Sequence, residues 1–243
     1  MRNDYSNFGL KIKNRKDLEN LVEHYKDSLT YLASDFGSYK MLSIDNCIEL
    51  WFPCRKGEID IDGCEIHYQT ECFTKVSGAD WQYLSEDNLS GMMRVWNGTD
   101  GELFPLNVSI PNTALIPPTD SEATYDCQIA CFAQDLNIYD NIKEYEEAHP
   151  DVESQSVIPC GTFSHDNNPD FKQSATAIIA GEVILCCKRQ NSYSGAYYHH
   201  IRIKSLGMTF DIVADESFVT RPVNVGSIIG GVFWLSAKIK VDE

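Results

Sequence analysis

Apolar residues change their spacing once near the N-terminus, from a helical period to a strand-like one, and stay mostly strand-like to the end. In residues 15–28, Leu18, Leu21, Val22 and Tyr25 fall at i, i+3, i+4 and i+7, with charge on the opposite face. That spacing predicts a helix. From Tyr31 to about Val76 the apolar runs are short, β-branched or aromatic, and broken by Pro53, Gly57 and Asp62-Gly63. They read as strands over 47–52, 58–61 and 64–73. The Asp-Gly pair predicts a hairpin turn between the last two.

Residues 77–101 offer one strand and an Asn97-Gly98 turn, and 104–118 is extended and bounded by prolines. Cys127, Ile129, Cys131 and Ala133 alternate like a strand, whereas Ile142 and Tyr145 onward have helical spacing. The prediction is a strand to about Ala133, then a helix over 140–148 with Asp140 as N-cap. The polar, proline-led segment Pro150–Gln155 follows, and a domain boundary is expected there: 1–156 and 157–243. No internal repeat or low-complexity tract is visible.

The C-terminal part carries the clearest pattern. Residues 175–187 alternate around Gly181, placing Ala177, Ile179, Gly181, Val183, Leu185 and Cys187 on one face. Segments 196–205 and 208–215 flank Leu206-Gly207. With that pair as the turn, Ile203 faces Phe210, Ile201 faces Ile212 and His199 faces Ala214 on the inner side. Lys204 then faces Thr209, Arg202 faces Asp211 and His200 faces Val213 on the outer side. Both strands agree on one register, as a hairpin requires. In the last run, 226–239, the residues Ile229, Gly231, Phe233, Leu235, Ala237 and Ile239 share an apolar or small face, expected to be core. Ser236, Lys238 and Lys240 end the opposite face, expected to be wet. A glycine inside a strand marks a bulge, a bend or a close backbone approach, so Gly181 and Gly230-Gly231 are read as bends that let the sheet close and bury its edge.

A long bent strand, a hairpin and a long closing strand resemble the OB fold, a five-stranded barrel. The resemblance covers roughly residues 157–243 and rests on pattern and strand order. It departs from that fold at 216–225, which is too short for the helix many OB folds insert there. The overall texture is similar to that of bacterial proteins, which implies no activity. The expected class is α+β, mainly β: an acidic N-terminal α+β part followed by a small closed or partly open OB-like β-barrel.

Charge narrows the partners. The 243-residue chain carries a net charge of −16, all of it in residues 1–156, where 12 bases face 28 acids; residues 157–243 hold eight of each. Such a field repels phosphate backbones, so general nucleic-acid binding is not expected. No apolar run reaches the ~18 residues of a membrane-crossing helix, and no membrane partner is expected. The opening residues lack the apolar core of a secretion signal, which predicts a cytoplasmic setting and reduced thiols for the nine cysteines. The glycosylation patterns at Asn88, Asn97 and Asn107 carry no weight in that setting.

Candidate chemistry is sparse. Cys127 and Cys131 would share a strand face and Cys186-Cys187 would not. Neither gives the two close-spaced pairs of a structural zinc site, and buried cysteines behave as small apolar groups. A thiol nucleophile needs a neighbouring base; Cys160 with His165, or a cysteine near His199, could supply one, but no nucleophile signature surrounds them. Glu65 with His67, and Asp60 with Asp62, share strand faces in a chain rich in acids. Phosphate-binding and dinucleotide glycine motifs are absent, and no cofactor or metal is expected. The outer face of the 196–215 hairpin is the one candidate ligand surface: Tyr198, His200, Arg202, Lys204 and Asp211. In OB folds the second and third strands form the ligand face, and aromatics with cations suit single-stranded nucleic acid. Against that, Arg202–Asp211 reads as a cross-strand ion pair, with the aromatics packed under the acidic part. The function expected is non-enzymatic binding of a protein or small-molecule partner. Two alternatives stand: an enzyme with its site at the junction of the two parts, and an OB-type single-strand binder.

Overall fold

The computed structural model describes residues 4–97, 104–117, 123–163 and 171–241. Gly98 of the expected Asn97-Gly98 turn, and His165, lie outside them. A 3-10 turn, Asp4–Phe8, precedes α1 (Arg15–His24). Asn14 caps α1 by accepting from the Asp17 amide, while the Asp17 carboxylate accepts from the Asn14 amide, a reciprocal box that fixes the start. Leu18 and Leu21 are buried, and Val22 and Tyr25 pack beside them. The helix ends at His24, short of the expected Ser28.

Five strands follow: β1 (Thr30–Ser34), β2 (Gly37–Ile44), β3 (Ile48–Arg55), β4 (Glu58–Ile59) and β5 (Glu65–Tyr68). They form a small antiparallel sheet in which β4 and β5 both pair with β3. The expected Asp62-Gly63 hairpin is therefore corrected: that pair links two strands that flank β3 and do not pair with each other. The tight turns fall elsewhere: Lys56-Gly57 is a two-residue hairpin loop and Asp45–Cys47 a three-residue one, with positive φ at Asp45, Asn46, Lys56 and Gly57.

The large sheet contains β6 (Thr74–Tyr83), β7 (Gly91–Asn97), β8 (Pro105–Ile110), β9 (Ala123–Tyr139), β10 (Ser156–Pro159), β11 (Thr176–Gln190), β12 (Tyr197–Ser205), β13 (Met208–Asp215) and β14 (Ile228–Ile239). Strands from both sides of residue 156 belong to it. A short helix, α2 (Ile142–Ala148), follows β9. The strand runs on to Tyr139 instead of stopping near Ala133, and Asn141, not Asp140, caps the helix by accepting from the Glu144 amide.

The pairings describe two rings of five strands. β11 pairs with β14 through residues 176–182 and with β12 through 182–190; β12 pairs with β13, β13 runs parallel to β9, and β9 pairs with β14. In the same way β6 pairs with β9 through Thr74–Gly78 and with β7 through Val76–Tyr83; β7 pairs with β8, and β8 runs parallel to β14 at Ser109–Ser236. The β9–β14 ribbon is the wall common to both. Each unit is a long partner-switching strand, a pair of shorter strands and a long last strand that also completes the other unit. Even the irregularities correspond: β6 bulges between Ala79 and Trp81, β11 between Val183 and Leu185. No sequence repeat accompanies this doubling. The partner switch in β11 needs Gly181, where a Cβ would lie 2.6 Å from the Lys204 carbonyl oxygen.

The register expected for the 196–215 hairpin is the one observed, around Leu206-Gly207 with positive φ at both residues. The expected core face of β14 is also buried from Ile229 to Ile239. The opposite face is wet only at Lys240, however. Trp234 and Ser236 are buried there, Phe132 of the adjacent strand packs on Phe8 at 5.1 Å, and Lys238 pairs with the buried Glu49 at 2.7 Å. The small sheet and the N-terminal turn cover that side of the common wall, so both faces of the wall are interior. The expected face of β11 is broken as well: the bulge turns Leu185 and Cys187 to the outer side, opposite Arg202 and His200. No helix among the described residues is long and apolar enough to cross a membrane.

Candidate functional site at the junction of the two sheets

Where the small sheet meets the outer face of β11 and β12, a cavity of about 530 Å³ opens. The Asp45-Asn46 turn and Cys47 form one wall, Tyr68 to Glu71 another, and Cys187, Arg189, His200 and Arg202 the third. Its volume lies within the ~300–1,000 Å³ of small-molecule sites.

Below it runs a polar row built by strand register. Cys187, His200 and Val213 are cross-strand neighbours on β11, β12 and β13, and Asp211 lies two residues from Val213 on the same face. Asp211 is buried, and its carboxylate has four contacts. His200 Nε2 lies 2.7 Å from Oδ1, Arg202 Nε donates to Oδ1 at 2.8 Å and its Nη2 to Oδ2 at 3.4 Å, and the Thr70 hydroxyl donates to Oδ2 at 2.7 Å. Burial opposes ionisation of Asp211, but the bonds from His200, Arg202 and Thr70 outweigh it and hold its pKa below the usual carboxylate value. On the other side of the ring, His200 Nδ1 lies 3.7 Å from Cys187 Sγ.

The five residues expected as a ligand surface separate into three environments. His200 and Arg202 line the cavity, with Asp211 beneath them. Tyr198 is buried beyond it, its ring edge-on to Tyr68 at 6.3 Å and its hydroxyl 3.5 Å from Cys47 Sγ. Lys204 is exposed at the far end of β12, opposite Thr209 and Glu182. The outer face of the hairpin is thus covered from Tyr198 to Arg202, except where the cavity reaches it, and is exposed at Lys204.

Two cavity-wall groups have unspent bonding capacity. The Tyr68 hydroxyl is buried and has no hydrogen-bond partner among the described residues, and burial, with Tyr198 next, pushes its pKa up. Its ring lies 4.9 Å from that of His200. Arg189 lies beside Tyr68, Cys187 and Cys47, and it forms no ion pair among the described residues.

The remaining candidates lie elsewhere. Cys127 and Cys131 are buried in the common wall, and burial raises both thiols, Cys127 to about 12. Cys160 is exposed, its thiol on the Ile158 carbonyl. His67 is buried against Ser236, Glu65 accepts from Ser109, Asp60 pairs with Arg55, and Asp62 pairs with Arg15 at 2.5 Å. Asn107 is buried, its side chain donating to the Gly161 carbonyl. No cluster of three metal-binding side chains occurs among the described residues. Cys187 and Arg189 are the site residues that strand alternation misplaced or passed over. Comparison with protein-family models, curated proteins and solved structures gives no match.

Proposed function

We propose that the protein binds a small polar ligand bearing an anionic group in the cavity between the two sheets. The observation that carries this reading is the pair Tyr68 and Arg189 on the cavity wall. Among the described residues, one is a buried hydroxyl without a hydrogen-bond partner and the other is a guanidinium without a carboxylate in an ion pair. Buried polar groups are ordinarily satisfied, and arginine binds carboxylate or phosphate in a bidentate fork. A ligand anion on Arg189 with an acceptor for the Tyr68 hydroxyl would satisfy both.

The strand order supports a finer reading, in which each ring is an OB-type barrel. A long first strand pairs with both the second and the fourth, and the third runs parallel to the fifth. The fifth strand of each barrel is then the last strand of the other unit. On this reading the cavity occupies the outer side of the second strand, where OB folds place ligands, but the small sheet narrows an open groove to a pocket. A single strand of nucleic acid has no stacking surface there, because Tyr198 is buried, and the net charge of −16 opposes its approach. The reading accords with a cytoplasmic binding protein.

A thermal-shift screen of small carboxylates, phosphate esters, metal ions and oligonucleotides tests the proposal. The expected result is stabilisation by an anionic small molecule that Arg189→Ala abolishes and Tyr68→Phe weakens. Stabilisation by oligonucleotides alone, or a shift that Arg189→Ala leaves unchanged, would overturn it.

A further inference from the structure

We infer that Cys187 is a nucleophile, deprotonated by His200 and presented by the cavity to the carbonyl carbon of an ester or thioester. The inference deepens the ligand-binding reading and rests on it for access of the substrate.

Asp211 sets the orientation of His200. Arg202 and Thr70 donate to the two Asp211 oxygens, so the carboxylate serves as an acceptor. His200 Nε2, 2.7 Å away, must therefore carry a proton directed at that carboxylate. That fixes the tautomer: Nδ1 keeps its lone pair, and it faces Cys187 Sγ at 3.7 Å, within reach of an S–H donor. A nucleophile, a base whose free nitrogen points at it, and a buried acceptor that orients the base make up the triad arrangement, recognised by geometry and roles rather than chain order. Here the three residues lie on adjacent strands of one sheet, and the bulge at Ile184 brings Cys187 to the same side as His200. Arg202 and Thr70 keep Asp211 charged and in place. Asp211 is a positioning residue.

The chemistry balances without a metal or a redox partner. The Cys187 proton moves to His200 Nδ1 and the thiolate attacks the carbonyl carbon, forming a C–S bond. Arg189, beside the sulfur, is the donor available to the oxyanion. The tetrahedral intermediate expels alkoxide or thiolate, which takes the proton from His200. Water, deprotonated by His200, then attacks the acyl group. The C–S bond breaks, the acid is released, and the thiol recovers its proton.

Of the other eight cysteines, Cys160 is exposed and serves as an internal control. The native protein is treated with iodoacetamide at about pH 6.5, and each cysteine is followed by peptide mass spectrometry. Cys187 is expected to react at least about tenfold faster than Cys160, as an activated thiolate does. His200→Gln, shown folded by circular dichroism, is expected to remove that excess. Asp211→Asn is expected to change the pH profile of Cys187 labelling and leave that of Cys160 unaltered. With p-nitrophenyl acetate, a burst of nitrophenolate and an acetyl adduct on Cys187 are expected, both lost in Cys187→Ser. Labelling of Cys187 no faster than Cys160, an unchanged rate in folded His200→Gln, or no acetyl adduct on Cys187 would overturn the inference. The two readings separate cleanly. Fast labelling and acetylation without any ligand-induced thermal shift sinks the anionic-ligand proposal alone, and a ligand shift with an inert Cys187 sinks the nucleophile alone.

Discussion

Gly231 lies so close to the strand beside it that a Cβ there would stand 2.2 Å from the Asp135 carbonyl oxygen. The contact occurs in the common wall, next to the irregularity between Val232 and Phe233 where β14 slips against β9. Its neighbour Gly230 is different: a Cβ there meets only ordinary contacts, the nearest 3.4 Å away on Tyr145. The two glycines that interrupt the most apolar strand thus have separate reasons to be small, and only one is steric.

Gly231→Ala must push two wall strands apart, and overpacking of this kind costs about 1–3 kcal/mol. Gly230→Ala removes unfolded-state freedom without a clash, and is expected to be neutral or to stabilise by up to about 1 kcal/mol. Urea midpoints of the two variants check this. Equal midpoints would mean that the wall is looser than described.

Lys238 gives the second prediction. Its ammonium bridges Glu49, which also accepts from Trp51 Nε1 at 2.9 Å, and Gln69 at 2.8 Å. Glu49 is 2% exposed, so Lys238→Met strands a buried carboxylate. Breaking such pairs costs about 3–5 kcal/mol, and the partial exposure of Lys238 places the expected loss at the lower end. Adding Glu49→Gln should recover most of it, because the double variant buries no unpaired charge. A double variant as unstable as Lys238→Met alone would show that the pair does not set the loss.

The β12–β13 hairpin was legible because two residues with positive φ separate two strands whose parities agree. The single-parity core of β14 was legible too, and so was α1, whose stripe is local. What sequence could not reveal was the second partner of each face. Ser236 and Lys238 look like a solvent edge until the small sheet is laid over them, and that contact joins Glu49 to Lys238 across 189 residues. The doubled topology was equally hidden, since β9 closes a ring with strands that follow it by up to a hundred residues. The site was half legible: His200, Arg202 and Asp211 follow from the hairpin register. Cys187 does not, because one inserted residue in β11 inverts the alternation beyond Val183. Strand alternation places that thiol in the core; the bulge places it beside His200.

The last prediction concerns acid. His67 is buried between the sheets, with Nδ1 on Ser236 Oγ at 3.1 Å and Nε2 without a hydrogen-bond partner among the described residues. Burial first, and the Lys238 charge second, hold its pKa well below the usual histidine value, with the Gln128 side chain beside the ring, and then Asp211, offsetting part of this. In the unfolded chain His67 titrates near pH ~6.5, so below that pH the unfolded state binds a proton that the folded state refuses. The stabilisation is complete above pH ~6.5 and is lost as pH falls toward the folded value, by up to about 1.4 kcal/mol per pH unit. His199 is half-buried and pushed down by burial and then Lys188, so it adds to the slope in the same window. Asp211 acts lower: its stabilisation is present above the unfolded carboxylate value, near pH ~4, and disappears only as pH falls further. Urea unfolding between pH 7.5 and 5 should therefore show wild-type stability falling with pH, and His67→Gln should fall less steeply, whatever its stability at pH 7.5. An identical slope in the two proteins would mean that His67 is protonated in the folded state, and that the layer between the sheets holds water enough to solvate it.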